Sequence, residues 1–333
     1  MKNTYTHFAG LALGHSSYEA LDRLALVEMR PYGMSQGLLP HLYNELRQPG
    51  MPAISRQAAE AIAARPHAPV TILTGMQIPN YMPVGETDGP VGAIVLAAGL
   101  THVGHDVAIV VEPEIKEVMD RVIAELEEFN LPEITIISSS DTQAYRAREE
   151  ETEIAIAIEK LGANSKAVRH SVGGTAVSTG DDYADTFITN LQRNGGFTIG
   201  VGDNGNEIGF GKIASFAQSI VPWGNVCRCD CSSGIITTTP TDLVIPCAVS
   251  NYGAYVIMTA LACLLEREDL LINPNLISAL VQRFVSLGMV NGAIEDDPDF
   301  VGDDGIPLSG VEAFAELFRL IGSQFFTRVG DHR

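Results

Sequence analysis

The run Gly200-Val201-Gly202-Asp203-Asn204-Gly205-Asn206-Glu207-Ile208-Gly209-Phe210-Gly211 continues an apolar stretch that begins at Phe197, and its reading decides the fold. Apolar residues entering a cluster of glycines describe a strand that ends in a loop, where the backbone adopts positive φ or closely approaches another group. The remaining side chains of that loop are the carboxylates Asp203 and Glu207 and the carboxamides Asn204 and Asn206. Such an oxygen-rich set suits a cation or an ammonium group better than a phosphate. Gly200, Gly202 and Gly205 also fit G-x-G-x-x-G, with Asp230 downstream, the pattern of a dinucleotide site. A pyrophosphate-binding turn runs straight into a helix. Here Asn206, Glu207, Gly209 and Gly211 delay any helix and the two acids would repel phosphate, so no nucleotide is expected.

Working outward, residues 70–74, 107–111 and 134–138 read as strands, separated by helices from Pro90 to about Val103 and over 113–130. Proline is favoured at a first helical position, where no N–H is needed. Alternating strands and helices imply a parallel sheet with right-handed crossovers. Further helices are predicted over 16–29, 55–64, 149–161, 181–194, 212–219, 251–266, 274–287 and 309–326. Residues 162–180 read as loop, 226–239 as mostly extended, and 242–249 as a strand or its continuation. The expected fold class is α/β: an open, mostly parallel Rossmann-like sheet with helices on both faces and an N-terminal helical addition. Residues 1–66 are read as that extension, packed on a core domain spanning 67–333. Ligands of such sheets bind beyond the carboxyl ends of the strands, where strand order reverses. Those ends carry Thr74-Gly75, Glu112, Ser138–Asp141 and Gly202-Asp203.

A net charge of −20 argues against nucleic acid or an anionic membrane surface as a partner. The apolar windows 91–100 and 252–265 are too short or too polar to span a bilayer and read as buried helices. Five cysteines in 333 residues do not make a disulfide framework. The first residues, MKNTYTHFAGLALGHSS, match a signal peptide poorly and lack the arginines of a transit peptide, so a cytoplasmic location is the default expectation. A homo-oligomer is compatible with the chain.

Glu86-Thr87-Asp88-Gly89-Pro90 places two carboxylates and a hydroxyl at a helix start. Capping needs one of the three; the rest are free to bind a ligand, and both readings stand. Together with Gly202–Lys212, Ile158-Glu159-Lys160-x-Gly162 and Ser250-Asn251-Tyr252-Gly253, this motif resembles the C-terminal domain of the D-glutamate cyclase family over residues 65–270. That family converts D-glutamate to 5-oxo-D-proline. Its larger eukaryotic members carry a further N-terminal domain, so the resemblance leaves open whether this domain alone completes the cyclisation. Carried over position by position, it implies Glu86, Thr87, Asp88, Glu159, Asp203, Asn206 and Glu207 as site residues, with Asp230, Asn251 and Tyr252 at further family positions. Asn204 stands where glycine is usual and Lys160 where arginine is usual. Residues 163–180, with His170 and Gly173-Gly174, depart from the family's tyrosine-containing pattern.

The resemblance also implies a divalent metal, and hard carboxylate ligands suit magnesium or manganese. Lactam formation needs a neutral amine to attack a γ-carboxyl carbon whose charge something must withdraw. On this reading Glu86, Asp88 and Asp203 meet the metal or ammonium, and Glu207 transfers protons beside Asp203 and Glu86. Thr87, Asp88, Glu159, Gly205, Asn206, Asn251 and Tyr252 are assigned to a small amino-acid substrate. Two alternatives stand beside this lyase: a non-catalytic small-molecule binding or regulatory module, and a nicotinamide-type nucleotide enzyme.

Elsewhere, Cys227-x-Cys229-x-Cys231 on a strand would put three thiols on one face, and buried structural cysteines are favoured over zinc because no C-x₂-C pairs appear. His102 and His105 fit a helix end, and His170 is the histidine to watch. The acidic run 295–304 lacks EF-hand spacing and reads as a solvated loop. No G-x-S-x-G elbow supports a serine hydrolase.

Overall fold

The computed structural model describes residues 14–31, 36–78, 80–177, 183–293, 297 and 300–327. Helices α1 (Gly14–Ala25), α2 (Leu39–Leu46) and α3 (Ile54–Ala63) precede the sheet. Then β1 (Pro69–Thr74), α4 (Pro90–Val103), β2 (Asp106–Val111), α5 (Pro113–Glu125) and β3 (Thr135–Ser138) alternate as the apolar spacing predicts. Prolines at N1 start α4 and α5.

The next elements differ from the reading of 149–161 as one helix. Asp141 caps α6 (Thr142–Glu151) by accepting from the Ala144 N–H, and β4 (Ile154–Ile158) follows. The isoleucines of β4 join the core under the larger helical layer, while Ala155 and Ala157 face the opposite cluster with Phe187 and Ile188. Both faces are therefore apolar, and a run of that kind has no polar alternation to distinguish it from a buried helix.

A short hairpin, β5 (Arg169–His170) with β6 (Ala176–Val177), occupies part of the predicted loop. Next come α7 (Tyr183–Arg193), β7 (Phe197–Gly202) and α8 (Ala214–Ile220). The first residues of the predicted 181–194 helix, Asp181 and Asp182, lie outside the described residues. Between α8 and β8 (Leu243–Pro246) the chain makes turns instead of the extended run expected over 226–239. The remaining elements are α9 (Ser250–Leu264), α10 (Pro274–Ser286), β9 (Gly302–Asp303), β10 (Ile306–Pro307) and α11 (Leu308–Phe326).

The main sheet has order β3-β2-β1-β4-β7-β8 and is parallel throughout. Strand order reverses between β1 and β4, which creates the crevice where ligands of open sheets sit. The windows read as buried helices are α4 and α9; α9 is buried from Ser250 to Cys263 and packs against α1, α3, α4 and α11. On the opposite face α7 packs against β4 and β7. Among the described residues no helix is long and apolar enough to cross a membrane.

Candidate active site

At the reversal point the Thr74 hydroxyl donates to the Ile158 carbonyl (2.8 Å), joining the ends of β1 and β4. The chain then loops to Asp88, which precedes α4 but makes no cap for it. Its carboxylate accepts instead from the Ser250 and Asn251 N–H groups (2.9 and 2.8 Å), the first donors of α9. A negative group there is favoured by the helix dipole. The Asn251 side chain completes this junction: its Oδ1 accepts from the Gly89 and Gly92 N–H groups, and its Nδ2 donates to the Thr87 carbonyl and to Asp303 Oδ2 (2.6 Å).

Beyond β4, Glu159 sits at a φ of 46° and accepts from the Ser250 hydroxyl (2.5 Å). Positive φ is uncommon for a residue with a Cβ and carries strain of order 1–3 kcal/mol. Beyond β7, Glu207 folds back into its own turn and accepts from the Asn204 N–H (3.0 Å) and the Gly205 N–H (2.8 Å). A Cβ at Gly202 would come within 2.8 Å of Glu207, and Gly205 has a φ of 94°, so both glycines are required for this turn. The G-x-G-x-x-G loop is thus filled by the protein's own carboxylate, and the next α-helix waits until Ala214. A phosphate would have to displace Glu207.

These loops enclose a cavity of about 410 Å³. Its polar wall holds Glu86, Asp88, Glu159, Asp203, Asn206 and Asp304; Met76, Ile78, Tyr81 and Met82 form an apolar side. Carboxylate oxygens of Asp88, Asp203 and Asp304 lie within 4.8 Å of one another, as do those of Glu159, Asp203 and Glu207. Acids separated by more than a hundred positions therefore share one cavity. Glu86 Oε1 and Asn206 Oδ1 are buried there without a hydrogen-bond partner among the described residues.

Among the described residues, Arg30, between α1 and α2, is the cation that meets this cluster. It pairs with Asp203 and with Asp304 (2.8 Å), donates to Asn204 Oδ1 (3.2 Å), and is anchored by two bonds to the Ala248 carbonyl. Lys160 is turned away toward Glu112 and the Gly75 carbonyl (3.0 Å). With so little positive charge, burial and then mutual repulsion push the carboxyl pKa values up. Burial followed by the charges of Glu159 and Asp88 raises Glu86 well above the usual range, and burial followed by Asp303 does the same for Asp88. Burial, then Glu207, raises Glu159 well above it. Burial lifts Asp303 to about 7, although Asn251 and Thr87 donate to it. Glu207 is raised by burial against its backbone donors, and Asp304 by burial against the pull of Arg30.

Several residues assigned to substrate from the sequence stand behind this wall. The Thr87 hydroxyl donates to Asp303 Oδ1 (2.9 Å). Asn251 spends its side chain on the junction above. Tyr252 stacks on Phe314 with centroids 4.9 Å apart, deep in the helical core. Gly205 shapes the turn, together with Glu207, the residue expected to transfer protons; Asp230, a further family position, is exposed in the loop before β8. Sequence spacing places such residues at strand ends but does not give side-chain direction.

Sequence reasoning misses Arg30, Asp303 and Asp304. The two acids belong to the run read as solvated, yet they are 1% and 9% exposed; Glu295, Asp296 and Asp299 lie outside the described residues. Asp304-Gly305 between Val301 and Ile306 is a hairpin signal that could have revealed this fold-back, since both residues have positive φ. Arg30 carries no comparable signal.

Residues 45–312 match a family model described as D-glutamate cyclase-like, C-terminal. The chain belongs to that family. It is 28% identical over 207 residues to the human protein "D-glutamate cyclase, mitochondrial", a match covering 56% of this chain and 30% of the relative. The matched region is thus under a third of that relative's length. A crystal structure of RecJ with Mn²⁺ from Thermus thermophilus overlaps 95% of this chain and 44% of its own at 12% identity, but its TM-score of 0.33 is too low to establish a shared fold. In this D-glutamate cyclase-like domain, the four motifs converge on the β1/β4 crevice. The departures from the family pattern are unequal in consequence. Lys160 faces away from the cavity, whereas Asn204 and the Ser171–Thr175 turn line it.

The donor set fits a hard divalent cation. Asp88, Asp203 and Asp304 offer convergent oxygens, Glu86 offers one without a partner, and the buried negative charge exceeds what Arg30 balances.

Proposed function

We propose that this domain forms a lactam within a small amino-dicarboxylic acid, with D-glutamate giving 5-oxo-D-proline and water. The observation that carries this reading is the cavity itself, of small-molecule size and walled by carboxylates from every loop at the reversal point. A dicarboxylic acid entering this chamber meets repulsion along its acidic wall, offset by Arg30 on Asp203 and Asp304. A bound divalent cation would remove that repulsion and withdraw charge from the γ-carboxyl group, otherwise a poor electrophile. Asp88, Asp203 and Asp304 are the residues that would hold it.

In the reaction the amine nitrogen forms a bond to the γ-carboxyl carbon and one carboxyl oxygen leaves as water. The two protons lost by the ammonium group are the two that this oxygen gains, so no net proton is consumed. We assign their transfer to Glu86 instead of Glu207. Glu86 lines the cavity with a free oxygen, and burial raises its pKa in the direction a proton donor needs. Glu207 is held by its own turn. To Glu159, tied to Ser250 and close to Asp203, we assign the substrate ammonium.

Incubation of the purified chain with D- or L-glutamate and Mn²⁺, followed by NMR of the 5-oxoproline ring protons, tests this. Product from D-glutamate, reduced at least 100-fold by Glu86→Gln, is expected; no product from either enantiomer would refute the substrate.

A further inference from the structure

A second group of ligating side chains lies outside the acidic cavity. The chain from Trp223 to Gly234 makes consecutive turns, with positive φ at Trp223, Ser232 and Gly234. These turns gather the sulfurs of Cys227, Cys229 and Cys231, while the β5–β6 hairpin delivers His170, which is fully buried. Cys227 Sγ is 3.4 Å from Cys229 Sγ and 3.3 Å from Cys231 Sγ. His170 Nε2 is 3.3 Å from the Cys229 sulfur and 3.5 Å from that of Cys231. All four ligand atoms fall within 4.8 Å of one another.

A tetrahedral zinc with bonds of about 2.3 Å to sulfur and about 2.05 Å to nitrogen has edges of roughly 3.8 Å (S to S) and 3.6 Å (S to N). The four edges given above are shorter than those of that polyhedron by at most about half an ångström. Disulfides do not account for the cluster: the thiols are free, their separations far exceed a bond of about 2.04 Å, and pairing would strand one of the three. The imidazole adds a second observation. Its Nδ1 has no partner among the described residues, so the sulfurs are what the ring is aimed at. The buried Asn164 amide donates to Cys231 Sγ (3.4 Å) and to the Gly234 carbonyl (2.7 Å), the kind of support that ligating thiolates receive.

We infer that Cys227, Cys229, Cys231 and His170 form a closed structural zinc site that fixes one wall of the acidic cavity. Three sulfurs and an imidazole select zinc over the magnesium or manganese suited to the carboxylates. Four protein ligands leave no position for substrate, which separates a structural site from a catalytic one. The wall in question is the Ser171–Thr175 turn, carried on strands of two residues each, too short to be stable alone. It is attached on both sides of the metal group: Asn206 Nδ2 donates to the His170 carbonyl (2.9 Å), and the Arg228 N–H donates to the Gly174 carbonyl (2.8 Å). Zinc would tie this hairpin to the cysteine loop and, through Asn206, to the glycine turn. The segment that departs from the family pattern would then be held by a device of its own.

Mass-spectrometric metal analysis of the purified full chain should find about one zinc per chain. Cys229→Ser and His170→Ala should each lower that at least tenfold, with the far-ultraviolet circular dichroism unchanged. Should either variant fail to fold, the wild-type chain remains decisive. Stripped and titrated with Co²⁺ under reducing conditions, it should develop thiolate-to-cobalt charge-transfer absorption that saturates at one equivalent. Hydrogen exchange across 169–177 should quicken on stripping and slow again with zinc. A chain that carries no zinc as purified and gives no such absorption overturns the proposal, as does a disulfide among the three cysteines.

Discussion

Arg30 balances charge where the cavity has least of it. Removing it by Arg30→Ala leaves Asp203 and Asp304 buried without their countercharge, a change that costs about 3–5 kcal/mol. Lysine cannot reproduce the forked contact to Ala248 and both acids, so Arg30→Lys should recover less than half of that loss in urea unfolding. Full recovery by lysine would show that only the charge matters. At this scale the sequence was legible where a motif supplied the context. Glu86, Asp88, Glu159, Asp203 and Asn206 line the cavity as their positions at strand ends suggested. Arg30 was illegible because nothing local distinguishes a buried arginine from an exposed one. Thr87, Asn251 and Tyr252 belong to the right segments but point into the scaffold, and pointing is decided by packing between elements distant in sequence.

The elements show the same division. Helices starting at proline and strands flanked by glycine were readable, but β4, the central strand, was hidden by being apolar on both faces. Its end holds Glu159 in a conformation better suited to glycine. Glu159→Gly should therefore relieve backbone strain and remove a carboxyl group whose burial is unfavourable, giving a melting temperature at or above that of the wild type, while 5-oxoproline formation falls at least 100-fold. A variant that is both less stable and fully active would contradict the assignment. On α9, Gly253 packs directly against Val201 of β7, and a methyl group there would overlap that side chain. Alanine gains about 1 kcal/mol in helix propensity, but overpacking costs typically about 1–3 kcal/mol. Gly253→Ala should accordingly destabilise the chain, as read by the urea midpoint; a stabilised variant would mean that α9 can move off the sheet.

Across the whole molecule, the acidic cavity makes stability depend on pH and on cations. A carboxyl whose pKa rises on folding keeps its proton in the native chain at pH values where the unfolded chain has lost it. Its contribution is present at low pH and lost as pH rises, for Asp303 between its unfolded value near 4 and its folded value of about 7. Each such proton gives a slope of about 1.4 kcal/mol per pH unit. With cations chelated, the melting temperature should fall from pH 5 to pH 8, less steeply in Glu86→Gln, and Mn²⁺ should restore it at pH 8. A rise over that interval would mean that these acids ionise freely. The account rests on carboxylates from separate loops acting as one cation site. Calorimetric titration with Mn²⁺ at pH 8 tests it most directly: one ion per wild-type chain, with affinity at least 100-fold weaker in Asp203→Asn, is predicted, and equal binding by the two chains would contradict it.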